Sequence, residues 1–391
     1  MKGKLFITAS LMGALLLTSC SNELPADLNP SDGLTSVTFK LATPAGEKIN
    51  YTRALHDEAE YKINSLTLYE YEVGKDEEGK KTTSLVRIMN YPDGLGRDVI
   101  TPVDNGDGSY TFSITIPASY EGKTYSYHFV ANNATINVKL GESVDRFHND
   151  WYSAIILNEK TVIPDSEDEN GEQTSEPVTV YPTADQLASP EKGIAMTGVA
   201  SFDGNEEITM GAATNPKGEV NLKRIVSRID IRYQTPNLKI TKAELQGAPV
   251  KTYLWPLQDE QGNPLFADVA TVKTELNSNI SLPLSYLKDN ESETEVNLKK
   301  AFYLYERSNS DESSAIVHLE YTVDANGTEY EGSLDIPFRL TSGDKKYIDT
   351  ERNHLYTIIL GNGAEPIAGK VSATLIVDDW NLIEIDEPLT D

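Results

Sequence analysis

Apolar and polar residues alternate at every second position through much of this chain, which predicts half-buried strands. In "SVTFKLA", Val37, Phe39 and Leu41 alternate with Thr38 and Lys40. In "SLTLYEYEV", Leu66 and Leu68 flank Thr67. The clearest case is "GSYTFSITIP", with Tyr110, Phe112, Ile114 and Ile116 on one face and Thr and Ser on the other. "KTYSYHFVA" follows at hairpin distance, with Tyr125, Tyr127 and Phe129 facing together. A second set of strands begins near residue 219: "NLKRIVSRIDIRY", "KAFYLYER", "AIVHLEYTV", "GSLDIPFRL", "HLYTIIL" and "VSATLIVDDWNLIEI". Helical spacing is confined to Ser143–Ile156, where Val144, Phe147, Trp151 and Ile155 recur every three or four residues. Short strands, frequent turns and one or two short helices predict a mainly all-β fold of two β-sandwiches in tandem. The length of 391 residues agrees, because single cores stop growing beyond about 250–300 residues.

The N-terminus departs from this pattern. "MKGKLFITASLMGALLLTSC" has Lys2 and Lys4, an apolar run from Leu5 to Leu17 and small residues before Cys20. Residues 1–19 therefore read as a secretory signal peptide. Cys20 is placed for lipid attachment, resembling the first residue of a mature bacterial lipoprotein, and more than one acyl chain there gives stable anchoring. It is the single cysteine in the sequence, so no disulfide forms within the chain and stability comes from packing. Residues 21–33, "SNELPADLNPSDG", are polar and turn-rich and read as a tether.

Charge narrows the partners. The 34 basic residues less Lys2 and Lys4 leave 32 against 61 acidic ones, a formal −29 after signal removal. That surface argues against nucleic acid or anionic membrane as a partner. Asp165–Glu176 carries six acidic side chains in twelve residues and nothing to bury, so it reads as an exposed loop. Catalytic chemistry has little footing. The five histidines (His56, His128, His148, His318, His354) show no pair at metal-ligand spacing. No Gly-x-Ser-x-Gly elbow or phosphate-binding glycine loop is present. "DNGDG", Asp104–Gly108, has the carboxylates of a calcium loop without its remaining ligand spacing, and a hairpin turn is the better reading. Tyr303 and Tyr305, in a strand pattern, read as packed side chains. No catalytic residue, cofactor or metal site is expected, and the chain is not read as an enzyme.

Several segments together resemble the fimbrillin family, the type V pilus subunits of Bacteroidales-like bacteria. They are "LLTSC", the "TRA" near residue 53, "GIAMTG" (Gly193–Gly198), "LKRIVSRIDI" (Leu222–Ile231), "FYLYER" (Phe302–Arg307), "RNHLYTIIL" (Arg352–Leu360) and "VDDW" (Val377–Trp380). The resemblance implies two transthyretin-like β-sandwiches, export to the cell outer membrane as a lipoprotein, and trimming by an arginine-specific protease. It further implies donor-strand exchange with other copies or related pilin subunits in an extracellular adhesive fimbrium. Carried onto this sequence, cleavage falls between Arg53 and Ala54. The implied division is a lipidated propeptide at 20–53, an N-terminal sandwich at 54–210 and a C-terminal sandwich at 211–391.

The removed piece would include the strand of Val37, Phe39 and Leu41. Its loss exposes unpaired backbone groups and an apolar groove, which a replacement strand fills by β-augmentation. The candidate donor lies within about 371–391, where Ile376, Trp380 and Leu382 share even spacing and Ile383 and Ile385 continue on the alternate face. Its acidic ending, "DEPLTD", leaves open whether the chain donates a strand, only accepts one, or uses this run to complete its own sheet. The alternative functions are a tip or surface binding module for a glycan or host protein, using loops such as Gly141–Ile156, and an uncut anchor subunit.

Overall fold

The structure is a computed structural model. It describes residues 35–43, 60, 62–92, 98–105, 109–132, 140–144, 161–163, 178–180, 193–211, 215–233, 235, 237–249, 252–259, 261–266, 271–275, 284–285, 298–339, 346–361 and 370–379. The expected helix lies outside these residues beyond Val144, as does the acidic loop Asp165–Glu176. That loop is flanked in sequence by a two-stranded ribbon of β8 (Thr161–Ile163) and β9 (Val178–Val180).

The first sandwich is one curled sheet. It contains β1 (Thr35–Ala42), β2 (Leu66–Lys75), β3 (Lys81–Tyr91), β4 (Asp98–Val99), β5 (Val103–Asp104), β6 (Ser109–Ile116) and β7 (Thr124–Ala131). After the ribbon it adds β10 (Met196–Ser201), β11 (Ile208–Thr209), β12 (Lys217–Asn221) and β13 (Lys223–Arg224). The order is β4-β3-β2-β7-β10-β12-β1-β6-β5, with β11 on β7 and β13 on β10. The sheet turns over at β10, whose Met196–Val199 pair with β7 while Ala200 and Ser201 pair with β12. Two layers result, and the alternating side chains of both fill the space between them. Residues 217–224 belong to this sandwich by their pairing.

β6 and β7, adjacent in sequence at hairpin spacing, do not pair with each other. β6 pairs with β1 and β5, and β7 with β2, β10 and β11. A short 3-10 turn at Ala118–Tyr120 carries the chain from one layer to the other. Phe112 of β6 therefore meets Phe129 of β7 across the core, with ring centroids 6.2 Å apart. The hairpin expected at Asp104–Gly108 does form: β5 pairs with β6, and the Asn105 N–H donates to the Ser109 carbonyl at 3.0 Å.

The second sandwich stacks two sheets. One has the order β20-β14-β23-β24, from β14 (Val226–Tyr233), β20 (Leu298–Tyr305), β23 (His354–Leu360) and β24 (Ala373–Asp379). The other has β18-β15-β21-β22 with β19 beside β15, from β15 (Leu238–Pro249), β18 (Thr271–Glu275), β19 (Leu284–Ser285), β21 (Ile316–Ala325) and β22 (Thr328–Pro337). A small ribbon joins β16 (Leu257–Gln258) to β17 (Pro264–Leu265). Ile229, Ile231, Leu245, Val317, Leu319 and Ile358 are among the residues of this core. The two-sandwich, all-β expectation holds.

A third cluster joins the sandwiches. Tyr69, Tyr71, Leu85, Ile88 and Val130 of β2, β3 and β7 pack with Val226, Tyr303 and Tyr305 of β14 and β20, and with Leu254 and Trp255. β2 is consequently buried on both faces from Leu66 to Tyr71. Inside the first sandwich, the fully buried Glu70 holds Arg87 at 2.6 Å. Arg87 in turn donates to the Thr115 carbonyl of β6 at 3.0 Å, tying one layer to the other. Burial pushes the Glu70 carboxyl above its ordinary value, and Arg87 offsets only part of the rise. A raised folded-state value makes this group's contribution to stability complete below the unfolded-state value of about 4.3 and lost as pH rises through the folded value. In urea titrations the stability of wild type minus that of Glu70→Gln should fall as the pH rises above about 4. A difference that rises with pH above that point would refute the assignment.

Candidate functional site

β1 is an inner strand. β6 pairs with it antiparallel from Thr35↔Ile116 to Ala42↔Ser109, and β12 pairs parallel from Thr38↔Lys217 to Ala42↔Asn221. Its inward side chains Val37, Phe39 and Leu41 are each 0% exposed. Burying three such side chains contributes roughly 5–9 kcal/mol gross. Phe39 lies at the centre of an aromatic cage. Its ring centroid is 5.4 Å from Phe112, 5.0 Å from Tyr127, 5.2 Å from Phe129 and 6.2 Å from Phe202. Gly218 of β12 makes room for that cage, since a Cβ there would stand 2.9 Å from Phe202 and 3.0 Å from Phe39. The outward side is polar: Thr38 Oγ1 and Ser113 Oγ share a hydrogen bond of 2.8 Å, and Ser36 Oγ donates to Asn215 Oδ1 at 3.1 Å.

Beyond Thr43 the next described residue is Glu60, which is wholly buried. Arg228 of β14 donates to both carboxylate oxygens, at 3.3 and 3.1 Å, and the Tyr303 hydroxyl of β20 donates to Oε1 at 2.9 Å. Arg228 also forks onto Asp230 at 2.7 and 2.6 Å. Burial works against the Arg228 charge, but Asp230 and then Glu60 more than offset it and raise its pKa. Burial, followed by the Glu60 charge, pushes the Tyr303 hydroxyl up and keeps it a donor. Arg224 Nε donates to the Glu60 carbonyl at 2.8 Å, and its Nη1 to Asn353 at 3.2 Å.

A few residues further on, Asn132 pins the chain to the first sandwich. Its Oδ1 accepts from the Asn64 N–H at 2.8 Å, and its Nδ2 donates to the carbonyls of Lys62 at 2.7 Å and Ile194 at 2.9 Å. Gly193, at φ +72°, permits this: a Cβ there would lie 2.5 Å from Asn132 Nδ2. Residues 60–65 thus staple the two sandwiches together. Replacing Glu60 by Ala should cost about 3–5 kcal/mol, because it strips a buried ion pair of one partner. Glu60→Gln, which keeps the shape, should lose less. Urea denaturation measures both, and a loss under about 1 kcal/mol for Glu60→Ala would contradict a buried ion pair.

Of the residues singled out in the sequence, the structure places Val37, Phe39 and Leu41 side by side in the core of the first sandwich. Cys20, Arg53 and Ala54 lie outside the described residues, as do Trp380, Leu382, Ile383 and Ile385. Ile376 lies in β24, opposite Thr357 of β23, and is 39% exposed. Tyr303 and Tyr305 are buried in the joint, as packed side chains. Among the described residues no group of three His, Cys, Asp or Glu is placed to hold a metal ion. Sequence reading missed Glu60 and Asn132. The signal for Glu60 was the charged pair Arg228–Asp230 set around Ile229 and Ile231 in a strand of the core, where buried charge requires a buried partner.

No family model matches the chain, and no curated protein matches it. Among solved structures it is similar to the tip fimbrial protein Mfa3 of Porphyromonas gingivalis with C-terminal truncation. That match has 15% identity over 88% of this chain and 100% of the other, with a TM-score of 0.43. It is also similar to the fimbrial anchor protein Mfa2 of the same organism, at 10% identity over 89% and 97% of the two chains and a TM-score of 0.32. Both of these neighbours are fimbrial proteins.

Proposed function

We propose that this chain is a structural subunit of a fimbrillin-like surface fimbria, exported as a lipoprotein through Cys20 and matured by cleavage between Arg53 and Ala54. Maturation removes β1, and a strand from another subunit takes its place. The observation that carries this reading is the position of β1: an inner strand with three wholly buried side chains, contributed by the most N-terminal described segment of the chain. Residues 44–59, which contain Arg53, link it to the rest. Both ends of that linker are fixed, by the buried Thr43 on one side and the buried Glu60 on the other.

A cut at Arg53 divides the chain between these two anchors. The lipid and β1 go with one piece, and everything from Glu60 onward stays stapled across both sandwiches. β6 and β12 then present unpaired N–H and C=O groups along an apolar slot, which a foreign strand satisfies. A groove on one subunit filled by a strand from another is a heterologous contact, which builds a head-to-tail assembly rather than a closed dimer.

Chain lacking residues 1–19, treated with an arginine-specific protease, should acquire a new N-terminus at Ala54. After separation of the released fragment in mild denaturant, amide exchange in Ser109–Ile116 and Lys217–Asn221 should accelerate by about 100-fold or more. Arg53→Ala should block both changes. Unchanged protection of β6 and β12 once the fragment is gone would rule out the groove, and a chain that resists cutting at Arg53 would rule out the maturation step.

A further inference from the structure

The strand that fills the groove can be described from the one now in it, granted the strand-removal reading above. The inward positions are not equivalent. Val37 stands opposite Ile114, Phe39 enters the four-ring cage over Gly218, and Leu41 stands between Tyr110 and Val220. The slot therefore takes aliphatic, aromatic and aliphatic side chains at positions i, i+2 and i+4. The outward positions carry Ser36, Thr38 and Lys40, so the intervening residues are polar.

The C-terminal run of this chain does not meet that specification. From Ile376 to Asp391, every set of residues at i, i+2 and i+4 includes an Asp, Glu or Asn. Setting Trp380 in the cage and Leu382 in the Leu41 position puts Asp378 in place of Val37. Setting Ile383 and Ile385 in the Phe39 and Leu41 positions puts Asn381 there instead. Moving these two isoleucines to the Val37 and Phe39 positions puts Glu387 in place of Leu41. Each alternative buries a polar or charged group in a pocket lined by hydrocarbon, which is strongly unfavourable without a partner. The apolar set Ala373, Leu375 and Val377 lies in β24, already paired with β23 along its length.

We propose that the groove is filled by a strand from a different subunit, bearing aliphatic, aromatic and aliphatic residues at alternate positions, and not by the 376–391 run of a second copy of this chain. The subunit is an acceptor within a mixed fimbria.

Protein cleaved after Arg53 and freed of its β1 fragment is titrated calorimetrically with four synthetic peptides. These are residues 35–43, the same peptide with Phe39→Ala, residues 376–387, and that last peptide with Asp378→Val. The first should bind and raise the melting temperature. Phe39→Ala should bind about 100-fold more weakly or worse, as expected when a caged aromatic is truncated. The 376–387 peptide should show no binding, and Asp378→Val should restore it in part. Binding of the unmodified 376–387 peptide within about tenfold of the β1 peptide overturns the proposal and leaves the exchange reading standing. Equal binding of the Phe39→Ala peptide does the same. Failure of the β1 peptide itself to rebind overturns both.

Discussion

A strand in the middle of a sheet satisfies the backbone of two neighbours at once, and β1 occupies that place between β6 and β12. Much of the first sandwich depends on this. Without β1 the core layer divides into β5–β6 on one side and β10–β12 on the other, and the aromatic cage loses its central ring. A strand so placed is expected to be continuous with the domain it completes. Here it precedes a linker that carries the candidate cleavage site. The sheet is thus built around an element that can be severed from the rest of the chain by one backbone cut.

The counterpart is the staple at residues 60–65. Where β1 is held by ladder hydrogen bonds and hydrocarbon, Glu60 is held by two cationic side chains and a tyrosine hydroxyl, and Asn132 grips the next turn of chain. Removing one partner of a buried ion pair leaves a charge without compensation, so such a contact resists partial opening. Four of the motif segments meet at this joint. "LKRIVSRIDI" supplies Arg224, Arg228 and Asp230, "FYLYER" supplies Tyr303, and "RNHLYTIIL" supplies Asn353. "FYLYER" and "RNHLYTIIL" also meet each other, as Arg352 binds Glu306 while holding the carbonyls of Leu254 and Tyr253. "GIAMTG" begins with the glycine that makes space for Asn132.

Strands with one wet face were legible in the sequence, because alternation records a single buried side. β1 and β6 were read in this way. β2 and β7 were recognised as strands, but their second buried face was not, since the second sandwich covers Tyr69, Tyr71 and Val130 and no local pattern reports it. β3 and β15 escaped for a different reason. A bulge sets Glu70 opposite Arg87 but Tyr71 opposite Leu85, which breaks the alternation of β3 at Val86. β15 carries one irregularity against β21 between Ile240 and Lys242 and another against β18 between Leu245 and Ala248. Sheet order was likewise not legible: β1 joins β12 across some 180 residues of chain, and only the folded core brings them together. The Glu60 staple spans a similar distance, 168 residues to Arg228, and lay inside an unremarkable acidic stretch, "HDEAE".

The two ends of the described chain contrast in how much they bury. β1 places three side chains wholly out of water and is flanked on both sides. β24 is an edge strand, with Leu375 buried but Ile376 and Val377 more than a third exposed. An edge with exposed apolar residues invites pairing unless something discourages it, and charged residues are the usual means. β24 ends in sequence on Asp378 and Asp379. In the run that follows, Asn381, Glu384, Asp386 and Glu387 exclude the registers that avoid Asp378 and Asp379, because a carboxylate or amide is costly inside a cage of rings. Exclusion of the 376–391 run from the groove thus rests on polar residues spread along it rather than on one pair.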